Sequence, residues 1–125
     1  MARAAHIAIT PETGPEVIAG STRMKAGTAQ KMILNMLSTT VMVRLGRVYD
    51  NWMIDVALSN DKLRARGLRI LREASGAGAA QATRALNQAG DLPTALIMLK
   101  TGMAAPDAQR KLRVAGGKLR RALSE

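Results

Sequence analysis

The chain has no cysteine and no phenylalanine, and only one tryptophan, one tyrosine and one histidine among its 125 residues. Without cysteine there are no disulfides, no thiolate metal ligands and no cysteine nucleophile, a composition that suits the cytosol. With so few aromatic rings there is no stacking platform for single-stranded nucleic acid. The single histidine, His6, has no carboxylate near it in sequence to orient its ring, so it reads as a surface or strand residue rather than a catalyst. No apolar run reaches the roughly eighteen residues of a membrane span, and the first twenty residues lack the apolar block of a signal peptide. These absences predict a soluble, cytoplasmic protein with no membrane partner.

Acidic residues are also scarce, nine against nineteen lysines and arginines, for a formal charge of +10. Such a balance suits a nucleic-acid binder, and the distribution of the charge argues against it. Lys62, Arg64, Arg66, Arg69 and Arg72 fall on one predicted helix, and Arg110, Lys111, Arg113, Lys118, Arg120 and Arg121 on another, each interleaved with core-facing aliphatics. They read as solvated faces. No helix-turn-helix or zinc-finger pattern accompanies them, so specific nucleic-acid binding is not expected.

What is present is enough apolar content, 47% of residues, for one modest core, and one unusual stretch. Gly14-Pro-Glu-Val-Ile-Ala-Gly-Ser-Thr-Arg-Met-Lys-Ala-Gly-Thr-Ala-Gln-Lys31 turns from a loop into a helix whose apolar pattern runs to Leu45. Ser21 and Thr22 are placed to cap that helix. Arg23 and Lys25 fall in its first turn, where the macrodipole favours acidic groups. Exposed amides, the hydroxyls of Ser21, Thr22 and Thr28, and two cations together make a cradle for a phosphate. The competing reading is an ordinary capped helix with solvated basic side chains.

The rest of the chain is punctuated clearly. His6–Ile9 alternates as a short strand. Met24–Leu45 is apolar around most of its circumference, which predicts a long buried helix, stopped by Gly46 and covered by other helices or a partner chain. Arg47–Leu58 reads as an extended packed connector, with Asp50 and Asp55 in structural rather than acid–base use. Ser59 or Asn60 caps a helix over Asp61–Ala74 with Leu63, Leu68, Ile70 and Leu71 inward. After a linker at Ser75–Gly78 come helices over Ala79–Gln88, Leu92–Thr101 and Pro106–Leu123. Gly90, Asp91, Pro93, Gly102 and Pro106 mark their ends, and Leu86, Leu92, Ala95, Leu96, Met98 and Leu99 supply a small core. The methionines read as adaptable core rather than a metal site.

The loop stretch closely resembles the signature shared by bacterial N-acetylmuramic acid 6-phosphate etherases and the glucokinase regulatory protein, both built on sugar isomerase-type domains. The resemblance continues through Asn35-Met-Leu-Ser-Thr39, Val41-Met-Val-Arg-Leu-Gly-Arg-Val-Tyr-Asp-Asn-Trp-Met-Ile-Asp-Val56, Ala95-Leu-Ile-Met-Leu99 and the Gly116-Gly117 pair, and it looks more like the etherase branch. It implies a mainly α fold: a short N-terminal strand and ligand loop, a long buried helix, then a helical C-terminal bundle with a ubiquitin-associated-like three-helix tail. Residues 1–58 would be the C-terminal piece of a sugar isomerase-type domain. Residues 59–125 would be the helical region, with the tail from about residue 77.

The implied reaction is removal of D-lactate from N-acetylmuramic acid 6-phosphate by elimination from the opened sugar and addition of water, with no metal and no organic cofactor. The two carboxylates that serve it in the family belong to segments upstream of the signature, and nothing in Met1–Glu125 matches them, so no catalytic residue is expected in this chain. What carries over is binding of the sugar phosphate. Ser21 matches a position near the phosphate, Thr22, Arg23 and Lys25 complete the anion site, and Glu16 reaches sugar hydroxyls or, equally, holds the loop through backbone amides. With most of the family's sheet upstream of these residues, an exposed apolar face on the long helix and a homodimer or higher self-association are expected. The alternatives are a sugar-phosphate-responsive regulator that binds a kinase and a basic nucleic-acid module.

Overall fold

Helices cut by glycines and opened by Asx or proline residues are what the punctuation dictates, and the computed structural model, which describes residues 4–124, contains them. In chain order they are α1 (Lys25–Arg44), β1 (Val48–Tyr49), β2 (Trp52–Met53), α2 (Asp61–Ser75), α3 (Ala79–Ala89), α4 (Leu92–Thr101), α5 (Ala105–Val114) and α6 (Leu119–Ser124). The fold is mainly α. By its internal packing the chain divides between Val41 and Met42 into two units.

The first unit holds an irregular segment and most of α1. Ile9, Pro11 and Thr13 lie along Ala26, Ala29, Ile33 and Leu34 of the helix. Two expectations are corrected here. His6–Ile9 is not a strand: a strand is defined by its ladder of hydrogen bonds, and the one pairing among the described residues is between β1 and β2. Ile7 is 81% exposed. Nor is α1 a buried helix, since none of its residues is buried and Met32, Leu34, Met36 and Leu37 are each more than half exposed. One helix and one irregular segment cannot form the second packed layer that an all-round apolar helix requires.

The second unit begins with the end of α1, where Gly46 donates its N–H to Val43 O at 3.0 Å and Arg47 donates to Met42 O at 3.0 Å. This paired closure needs a left-handed residue, and Gly46 has φ +77°. The stretch Arg47–Leu58 is more than the connector expected. It folds as an antiparallel hairpin with Tyr49 opposite Trp52 and Val48 opposite Met53, turning at Asp50, which has φ +51°. Alternation places the buried Ile54 just beyond, and Ile54 N–H closes back on Arg47 O. The guanidinium of Arg69 sits 5.8 Å from the Trp52 ring centre and the ammonium of Lys100 5.4 Å from that of Tyr49, tying the hairpin to α2 and α4.

The core is built around α4, which packs against α2, α3, α5 and α6. Leu92, Ala95, Leu96 and Ile97 are all buried, so this helix is surrounded where α1 is not. Its start is held by Asp91, whose Oδ1 accepts from Thr94 N–H at 2.7 Å and whose Oδ2 accepts from Thr94 Oγ1 at 2.9 Å. Asn60 Oδ1 does the same for α2, accepting from Leu63 N–H at 2.9 Å. Ile70 and Leu71 are buried inward as expected, with Leu63 and Leu68 half-buried. The predicted single helix Pro106–Leu123 is corrected to two. Gly116 and Gly117 both take positive φ, and their N–H groups close onto Arg113 O and Leu112 O, ending α5 and redirecting the chain so that Leu119 and Ala122 of α6 reach the core.

Candidate functional site

The loop ahead of α1 is held by local hydrogen bonds. Ser21 N–H donates to Ile18 O at 3.0 Å and Arg23 N–H to Ser21 O at 2.9 Å, which coils residues 18–23 into successive tight turns. Gly27 carries no side chain where the Thr22 carbonyl passes, 3.4 Å from where its Cβ would lie. Lys25 Nζ folds back towards Gly14, 4.0 Å from the corresponding point on that residue. The loop and the first turn of the helix are therefore one packed unit.

Glu16 is the residue that closes it. Its Oε2 accepts from Lys25 N–H and its Oε1 from Ala26 N–H, both at 3.1 Å, so one carboxylate spans two amides at the start of α1. This corrects the assignment of the cap to Ser21 and Thr22, which lie in turns before the helix begins. It also explains how Arg23 and Lys25 are tolerated at a helix start that has no acidic residue in its first turn. The acid arrives from nine residues upstream and neutralises the partial positive charge there. A carboxylate bridging two charged-end amides makes stronger hydrogen bonds than a neutral cap would.

The structure thus assigns Glu16 to the backbone amides, and those two amides are not available to a phosphate while it stays. What remains for an anion is the side chains. Ser21 is half-buried, and Thr22, Arg23 and Lys25 are exposed. Among the described residues, the side chains of Ser21, Thr22, Arg23 and Lys25 form no hydrogen bond or ion pair. Two hydroxyls and two cations within five consecutive positions, on a loop whose backbone is fixed, can donate to the oxygens of a phosphate ester.

The other acidic candidates are used structurally. Asp55 pairs with Arg47 at 3.1 Å and Asp50 faces Arg120 at 3.4 Å, all four side chains at least 47% exposed. His6 is exposed. Among the described residues no group of three or more His, Asp or Glu side chains is arranged to hold a metal ion, and no helix is long and apolar enough to cross a membrane.

No family model matches the chain. Individual proteins do. It is 52% identical over 120 residues to the N-acetylmuramic acid 6-phosphate etherase of Geobacillus thermodenitrificans, covering 95% of this chain and 41% of that protein. It is 51% identical over 121 residues to the protein of the same name from Rhizobium rhizogenes, covering 96% and 39%, and 49% identical over 125 residues to that of Serratia proteamaculans, covering 99% and 42%. The chain spans about two fifths of the length of the curated relatives it matches. In sequence, nearly the whole of this chain corresponds to a C-terminal portion of the N-acetylmuramic acid 6-phosphate etherases.

Proposed function

We propose that the chain is the sugar-phosphate-binding part of a cytoplasmic lyase that cleaves the D-lactyl ether of N-acetylmuramic acid 6-phosphate to N-acetylglucosamine 6-phosphate and D-lactate. The observation that carries this reading is identity near 50% to proteins of that name across 95% or more of the chain, the loop included. In this reading Ser21, Thr22, Arg23 and Lys25 receive the phosphate ester, and Glu16 holds them in place by fixing the start of α1. The base that takes the proton beside the aldehyde and the acid that assists departure of lactate come from outside these residues. Binding the phosphate, which takes no part in bond breaking, positions the reacting carbons against those groups.

A chimera tests this. Residues 4–124 replace the matching portion of the Geobacillus thermodenitrificans etherase, and D-lactate release from N-acetylmuramic acid 6-phosphate is followed. The chimera is expected to release D-lactate and the isolated chain to release none. A folded chimera without activity would overturn the proposal.

The same reading makes the 125-residue chain self-associating. The exposed apolar residues of α1 supply the surface, and two such helices laid together would shield it.

A further inference from the structure

The second unit contains a cavity of about 500 Å³ that shares no residue with the loop. Among the described residues its charged lining is Arg44, Lys118, Arg120 and Arg121 with the carboxylate of Asp50. Chain topology brings these together. Arg44 ends α1, while the turn at Gly116-Gly117 delivers the other three at the start of α6. The two sides are locked by close backbone contact: a Cβ on Gly46 would lie 2.9 Å from Lys118 Cγ and 3.0 Å from Lys118 Cα. Leu119, wholly buried, anchors the next position in the core.

The frame is therefore fixed, and the cations stand on it at the mouth. Among Arg44, Lys118 and Arg120 the mutual repulsion is offset by little from the described residues. The Asp50–Arg120 contact is 3.4 Å long with the side chains 63% and 76% exposed, a geometry that contributes little. Among the described residues Arg44 and Lys118 make no ion pair. An anion in the cavity would draw on Arg44, Lys118 and Arg120. Val43 and Val48 add apolar wall beside them, and the volume falls in the range of small-molecule sites, about 300–1,000 Å³.

We propose that this cavity binds a phosphorylated small molecule, its phosphate among Arg44, Lys118 and Arg120 and its organic body against Val43 and Val48. A hexosamine phosphate and a nucleoside monophosphate share that chemistry. The test is calorimetric titration of the full chain carrying Ser21→Ala and Arg23→Ala, so that the loop does not contribute, at about 150 mM salt, where exposed charges more than about 8 Å apart are screened. Glucosamine 6-phosphate, AMP and inorganic phosphate are the three probes. Saturable binding of at least one organic phosphate is expected, about tenfold or more tighter than inorganic phosphate, and the tighter of the two identifies the source. Adding Arg44→Gln or Lys118→Gln should weaken it about tenfold, and Arg66→Gln on α2 should leave it within twofold. No saturable heat, binding no tighter than inorganic phosphate, binding that survives both Arg44→Gln and Lys118→Gln, or an equal loss with Arg66→Gln would each overturn the proposal. None of these results bears on whether the loop binds the lyase substrate.

Discussion

Glu16 shows how a single side chain can be read two ways until its partners are known. The basic first turn of α1 called for an anion, and residue chemistry alone left open whether that anion was a ligand or a carboxylate of the chain. The carboxylate reaches Lys25 and Ala26 from nine and ten residues away, a separation that local cap rules do not search. Glu16→Ala should release both amides, and hydrogen exchange at Lys25 and Ala26 is expected to accelerate about fivefold or more, as loss of a cap costing about 1 kcal/mol implies. Unchanged exchange there would show that the cap is not what holds the helix start. Asp91, by contrast, was legible directly from its place before a proline-bearing helix. Its replacement by Ala leaves the hydroxyl of Thr94, only 1% exposed, without its acceptor, as well as removing the cap. A loss of about 1–3 kcal/mol is expected in denaturant unfolding. Gly67 was not legible as special, since nothing in its sequence neighbourhood distinguishes it. A Cβ there would lie 3.0 Å from Leu58 Cδ2 and 3.1 Å from Leu92 Cδ2, so Gly67→Ala should destabilise by overpacking despite the better helix propensity of alanine, which is worth about 1 kcal/mol.

Among the elements, α1 and α4 carry the same sequence pattern and meet opposite fates. Both are apolar nearly all round, a pattern that states a demand for burial without stating where the cover comes from. For α4 the cover lies within the same unit, in α2, α3, α5 and α6. For α1 it does not, and periodicity could not distinguish the two cases. The contrast predicts opposite responses to substitution. Ile97→Ala, at a site with no exposure, is expected to cost about 2–5 kcal/mol. Met36→Gln and Leu37→Gln on α1 should change stability by no more than about 0.5 kcal/mol while lowering the mass of the self-associated species measured by light scattering. A monomeric parent chain at micromolar concentration, or variants as associated as the parent, would contradict the role given to α1. The division of Pro106–Leu123 into α5 and α6 was present in the sequence as Gly116-Gly117. The apolar spacing on either side continues across the pair, and the positive φ of both glycines is what breaks the helix.

At the level of the whole molecule, the helical class, the bounds of α1 to α4 to within a residue or two and the core positions Ile70, Leu71, Leu86, Leu92, Ala95 and Leu96 could be read from apolar spacing and caps, because those signals are local. The hairpin was missed because Val48, Tyr49, Trp52 and Met53 make strands of two residues each, too short for alternation to register. The candidate site stands out in the sequence as a stretch and not as an arrangement, since the partners of Glu16 depend on how the loop folds. The chain corresponds to about two fifths of its relatives, so the central claim concerns what this part supplies to such a lyase. The most direct measurement of it uses the chimera with Ser21→Ala and with Arg23→Ala, recording KM for N-acetylmuramic acid 6-phosphate beside the melting temperature. If these side chains receive the phosphate ester, each variant raises KM about tenfold or more, the cost of a charged hydrogen bond of about 1.5–3 kcal/mol, and melts within about 2 °C of the parent. Variants that melt far lower while the folded fraction keeps the parent KM would contradict the account and make the loop a purely architectural part of the helix start.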